Sequence, residues 1–198
     1  MNYLAHLYLS GDSEGILIGN FIGDAVKGKQ YLNYRDDIQK GILLHRQIDS
    51  FTDKHPLVRE CSHYFRPYYG RYSGIVTDVI FDHFLASGWA SYSSSSLSSF
   101  ADHVHAVLLS GFFRLPSKVQ WVLPFFIKHR RLESYAQIEG IRQTLEIMGR
   151  RTSMPEESGF AIEVLQEQFH SMKEIFEIFF EELVSYVETI SGIRIGTE

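Results

Sequence analysis

"LLHRQIDSFTDKHP", residues 43–56, reads as a helix that carries titratable groups on an apolar face. Leu43, Leu44, Ile48 and Phe51 give the helical apolar spacing, yet His45, Arg46, Asp49 and Asp53 are threaded among them. Burying that many ionisable groups costs free energy unless each finds a partner. Followed upstream, one face repeats through Ile38, Ile42, His45, Asp49 and Thr52. The same period recurs through Ile75, Asp78, Asp82 and Leu85, and again through Ile138, Ile141, Leu145 and Met148. A last segment, from about Pro155 to Thr189, carries a near-heptad seam through Leu165, Phe169, Met172, Phe176, Phe179 and Leu183. Ser153 and Glu156 stand at capping-box spacing before it, with Pro155 early in the first turn. The serine run "SYSSSSLSSF", residues 91–100, is a surface loop or a helix start, and the glycines at 11, 15, 19, 23 and 28 predict short helices and turns. Alternating apolar–polar runs are missing, so the expected fold is all-α: a single-domain helical bundle over residues 1–198.

Composition narrows the class. With 198 residues and 44% hydrophobic residues the chain can bury a substantial core, rich in aromatics from 15 Phe and 11 Tyr. A net charge of −5 argues against a general nucleic-acid binder. Cys61 is the sole cysteine, which excludes an internal disulfide and suits a reducing cytoplasm. The opening lacks the basic and apolar regions of a signal peptide, and no charge-free apolar run is long enough for a membrane span.

The chemistry is concentrated in two helix faces. His45 and Asp49 share one face, and Asp78 and Asp82 share another, because positions four apart on a helix are neighbours. Packed together, two such helices would converge an imidazole and three carboxylates, with Asp24 of "GNFIGDAVKG", residues 19–28, as a further carboxylate. Carboxylates so crowded repel one another unless a cation intervenes. Oxygen donors with imidazole suit Mn²⁺, Mg²⁺ or Fe²⁺. The alternative is that both pairs are buried ion pairs. Arg46 is either a structural ion pair or a bidentate clamp on a phosphate. His6 is either a core histidine or a ligand, and His83 is rotated about 100° from Asp82.

Four motifs occur in order: "NYLAHLYLS" at 2–10, "GNFIGDAVKG" at 19–28, "GILLHRQIDSFTD" at 41–53 and "DVIFDHFLA" at 78–86. Together they resemble the acyl carrier protein phosphodiesterase family over roughly residues 1 to 90. The resemblance implies an all-helical, HD-type metal-dependent phosphohydrolase that uses Mn²⁺ and removes the 4′-phosphopantetheine arm from holo acyl carrier protein. The family's polar positions fall on His6, Asn20, Asp24, His45, Arg46, Asp49, Asp53, Asp78, Asp82 and His83. The doublet Asp82-His83 reverses the His-Asp order that names the wider superfamily. On this reading Asp24, His45, Asp49, Asp78 and Asp82 form the metal shell, with His6 and Asn20 as possible additions. Arg46 offsets charge on the phosphate, and Asp53 or His83 protonates the leaving serine oxygen. A nucleotide or other small phosphoester hydrolase, and a non-catalytic helical binding module, are the competing readings.

Carrier proteins are acidic as a class, so docking on this net-negative chain needs local positive patches. Candidates are Lys27 and Lys29 beside Asp24, Arg130 and Arg131 in "KHRRLE" at 128–133, and "GRRTS" at 149–153. The aromatic stretch "WVLPFFIKH" at 121–129 offers apolar contact to a partner helix. Oligomeric state is left open by the sequence.

Overall fold

A computed structural model describes residues 1–196. The chain folds into helices α1 (Tyr3–Tyr8), α2 (Glu14–Ile22), α3 (Asp36–Lys54), α4 (Pro56–His63), α5 (Arg66–Tyr69) and α6 (Ser73–Ser87). They are followed by α7 (Leu97–Ser110), α8 (Ser117–Lys128), α9 (Arg131–Ser134), α10 (Ile138–Arg151), α11 (Ser158–Glu167) and α12 (Phe169–Ser191). Among the described residues there is no strand, so the all-α expectation holds. No helix is long and apolar enough to cross a membrane.

Helix α6 is the axis of the molecule. It is buried almost continuously from Val79 to Ala86, and α1, α4, α10 and α12 all pack against it. A helix covered on every side must be apolar on every side, which is why its sequence shows so little amphipathic contrast. Phe81 and Phe84 of α6 meet Phe176 and Phe179 of α12 at ring separations of 5.4 to 5.7 Å, forming the aromatic heart of the core.

Helices α2 and α3 approach with backbone against backbone. A Cβ at Gly19 would lie 2.1 Å from the Ile38 carbonyl, and one at Gly41 would lie 2.2 Å from the Ile16 carbonyl. Only glycine fits at either point.

Two local expectations are corrected. The C-terminal segment is not one helix: it breaks at Gln168, and its first part starts at Ser158. The Ser153–Glu156 capping box is not formed, because the Ser153 hydroxyl meets the Tyr72 hydroxyl at 2.5 Å instead. The serine run does both things expected of it: Ser93 and Ser95 lie in a loop, and Ser96 caps α7 by accepting from the Ser99 amide.

Candidate metal centre

The centre is assembled where α1, α2 and α3 meet. Helix α1 is only six residues long, too short to be stable from local propensity. It is held from outside: Asp82 of α6 accepts from the Leu4 amide at 2.7 Å and the Ala5 amide at 3.1 Å. The carboxylate thus caps the free N–H groups of a helix start from far away in sequence. This fixes His6, the residue that follows.

Asn20 of α2 then orients two imidazoles. Its Nδ2 donates to the His6 carbonyl at 2.6 Å and to Ser10 Oγ at 3.0 Å, so its Oδ1 is free to accept from His6 Nδ1–H at 2.8 Å. Its backbone carbonyl accepts from His45 Nδ1–H at 2.8 Å. A carbonyl can only accept, so both rings carry their proton on Nδ1 and aim an Nε2 lone pair inward. The two rings stack at 4.1 Å.

What those lone pairs face decides the chemistry. His6 Nε2 lies 3.1 Å from Asp49 Oδ1 and 3.1 Å from the Met1 carbonyl. His45 Nε2 lies 3.1 Å from Asp49 Oδ2 and 3.5 Å from Asp24 Oδ1. With the proton on Nδ1, acceptors are aimed at acceptors, an arrangement that either a cation or an added proton between them satisfies. His45 Nε2 is buried, and although Asp49 is close, no oxygen approaches it along a proper hydrogen-bond direction. Ligand atoms of His6, His45 and Asp49 lie within 4.8 Å of one another, and each imidazole has the outer partner that ligating histidines characteristically have. The residues therefore fit a divalent cation with mixed nitrogen and oxygen donors. A proton is the other way to satisfy them. Burial works against charge on His45, but Asp24 and Asp49 outweigh it and hold its pKa up at about 9. Burial pushes His6 down to about 4, against the pull of Asp49. Asp49 is held on the ionised side, despite burial, by the two imidazoles that face it.

A family profile described as acyl carrier protein phosphodiesterase matches residues 1–183. The chain belongs to the acyl carrier protein phosphodiesterase family. It is similar to the acyl carrier protein phosphodiesterase of Yersinia pestis, at 32% identity over 91% of this chain and 94% of that one. The corresponding figures are 33%, 93% and 96% for that of Serratia proteamaculans, and 36%, 76% and 77% for that of Photorhabdus laumondii. No solved structure matches the chain.

Of the polar positions that the phosphodiesterase resemblance marks, His6, Asn20, Asp24, His45 and Asp49 come together, and the rest serve other contacts. Both oxygens of Asp82 are taken by the α1 amides. Asp78 Oδ1 lies 3.1 Å from the Met1 nitrogen, at the edge of the cluster. His83 faces away and donates from Nδ1 to the Tyr135 carbonyl at 2.8 Å, as its rotation from Asp82 requires. Asp53 is exposed one turn beyond Asp49. Arg46 Nη2 donates to the carbonyls of Val26 and Gly28, each at 2.9 Å, and its guanidinium lies over the Tyr31 ring. It ties down the loop that follows Asp24. Lys27 and Lys29 are exposed on that loop. Arg130 pairs with Asp102 and Glu133, and Arg131 is buried against the Phe125 ring, so neither presents a free charge. Ser10 was not singled out by sequence; it is buried and bonds both Asn20 and the His6 carbonyl. Its position four residues after His6 was the available signal.

Proposed function

We infer that this chain hydrolyses the phosphodiester that joins the 4′-phosphopantetheine arm to holo acyl carrier protein, releasing apo carrier protein, with a divalent cation held by His6, His45, Asp49 and Asp24. The single observation that carries this is the pair of Nε2 lone pairs, fixed by Asn20 and aimed at carboxylates. The family's name supplies the substrate. Mn²⁺ is the favoured ion and Mg²⁺ or Fe²⁺ the alternatives, because imidazole joins oxygen donors in the set. On this reading the ligands come from α1 (His6), α3 (His45 and Asp49) and the turn after α2 (Asp24), an HD-like use of histidine and aspartate without the doublet, and the reaction belongs in the cytoplasm, where carrier proteins work.

The division of labour follows from the contacts. Bound, the cation would supply Lewis acidity toward a phosphate oxygen and toward water. Asn20 and Ser10 keep both imidazoles in one tautomer, so the ring nitrogens are ready to bind without reorganisation. Asp24 is exposed on a short turn and opens onto a cavity of about 380 Å³ lined by Tyr3, Phe21, Lys118 and Phe126, with Lys27 at its rim. That cavity offers a phosphate-bearing arm an apolar floor and ammonium groups. Arg46 holds the turn that presents Asp24 rather than touching phosphate.

The test is mass spectrometry of holo carrier protein after incubation with the Mn²⁺-loaded protein. The expected product is apo carrier protein plus free phosphopantetheine. An unchanged carrier mass, with stoichiometric metal bound to the protein, would sink the reading.

A further inference from the structure

From His103 to Leu132 the chain carries no carboxylate, whereas it carries Arg114, Lys118, Lys128, Arg130 and Arg131. In a chain with 24 acidic and 19 basic residues this is a strong segregation of sign. Two of the five cations are consumed internally, as described for Arg130 and Arg131. Arg114, Lys118 and Lys128 are exposed and have no ion-pair partner among the described residues. Lys118, Trp121, Phe125 and Lys128 follow one another at helical spacing along α8, and all four are exposed. Trp121 is 87% exposed, and Phe113, just before α8, is 93% exposed. Large aromatics rimmed by unpaired cations are the residue types that carry protein interfaces.

This face is continuous with the proposed site. The cavity that starts at Asp24 shares Tyr3, Val122 and Phe126 with a second cavity of about 220 Å³ that ends at Arg151. The two cavities adjoin across these side chains, and α8 contributes to the lining of both. We propose that the exposed stripe of α8, Lys118–Trp121–Phe125–Lys128, which borders both cavities, is the docking surface for an acidic face of the protein substrate, and that it delivers the phosphate-bearing arm into the Asp24 cavity. This rests on the carrier-protein reading above and moves docking away from Arg130 and Arg131. The commitment to an acidic protein partner comes from charge: the face is locally cationic on a molecule of net charge −5, so it attracts negative surface while the remainder repels it.

The experiment compares wild type with Trp121→Ala/Lys128→Glu, neither residue lining the Asp24 cavity. Lys40→Glu, exposed on α3, is the control for charge alone. KM and kcat are measured on holo carrier protein and on a nitrophenyl phosphodiester, and binding of apo carrier protein is measured directly. The expected result is a rise of about tenfold or more in KM for carrier protein and a matching loss of binding, the size typical of losing an interface anchor. Turnover of the small diester should be unchanged, and Lys40→Glu should behave as wild type. Unchanged KM in the double variant, with wild type still cleaving carrier protein, overturns the docking surface and leaves the activity standing. Wild type that binds carrier protein through α8 but leaves it intact overturns the activity and leaves the surface standing. Loss of binding to anionic phospholipid vesicles, with carrier-protein KM unchanged, would make the face a membrane contact and overturn the proposal.

Discussion

Helices α3 and α6 each carry two polar groups four residues apart in an apolar setting, and the molecule uses them oppositely. On α3, His45 and Asp49 meet the imidazole of His6 and leave lone pairs facing one another. On α6, Asp82 is spent on the amides of Leu4 and Ala5, and Asp78 lies beside the Met1 nitrogen. The difference comes from what each face packs against. The α3 face meets side chains, whose acceptors leave room for a proton or a cation between them. The α6 face meets the start of a helix, whose unpaired N–H groups are themselves the positive partner. Equal spacing therefore yields a candidate ligand set in one case and a scaffold in the other.

Removing one member of each pair should separate these roles. Asp49→Ala is expected to cost about a hundredfold or more in turnover and most of the bound metal, since it deletes the group shared by both imidazoles; metal analysis beside steady-state kinetics reads both. If that variant kept wild-type metal content, the distinction between the two helices would collapse. Asn20→Ala touches the α3 side from behind. It should weaken metal affinity by about 10- to 100-fold, the usual loss when a ligand's orienting partner goes, as a competition titration against a chelator would show.

Asp82→Ala should act on folding first. Leaving two buried amides unpaired is expected to cost about 2 to 3 kcal/mol of unfolding free energy, read from urea melts. A variant as stable as wild type would mean that the α1 cap is dispensable. The same residue makes a pH prediction. Burial lifts the Asp82 carboxyl to about 7, although the Leu4 and Ala5 amides pull it down. Its proton is held more tightly in the folded state than in the unfolded chain, so its contribution to stability is full below the ordinary value of 3.8 and is lost as pH rises toward 7. Asp82→Asn cannot titrate. The stability advantage of wild type over Asp82→Asn should therefore shrink between about pH 4 and pH 7, and a gap that widened would reverse the assignment.

The smallest effect is expected at Arg46→Lys. An ammonium can still reach one of the two loop carbonyls, so the loss should be about 1 kcal/mol of stability with turnover within about tenfold. A much larger loss of rate with the loop intact would return Arg46 to the phosphate.

Local periodicity made the helices readable, and with them His45 and Asp49, because a face is a property of one segment. What Asp82 does was not readable in the same way, since its partners lie 77 and 78 positions away in the chain and are backbone groups that leave no mark on residue identity. His6 stood undecided between core and ligand for a related reason: it is both buried and aimed at Asp49. The basic cluster at Arg130 and Arg131 misled because tertiary ion pairing and burial consume charges that composition counts as free. The near-heptad seam continues across Gln168 while the backbone does not; side-chain pattern records which face is buried, not whether one helix or two present it.

The glycine contact between α2 and α3 sets a gauge. Asn20 follows Gly19 directly and grips both imidazoles, so the distance between the two ring nitrogens is inherited from how closely the two backbones lie. A methyl group at Gly19 or Gly41 would act as a shim between the helices, and its thickness would be transmitted to the nitrogens with no ligand altered. If the proposed cation binds there, its discrimination by radius would reside in two residues that have no side chain and lie outside the ligand set.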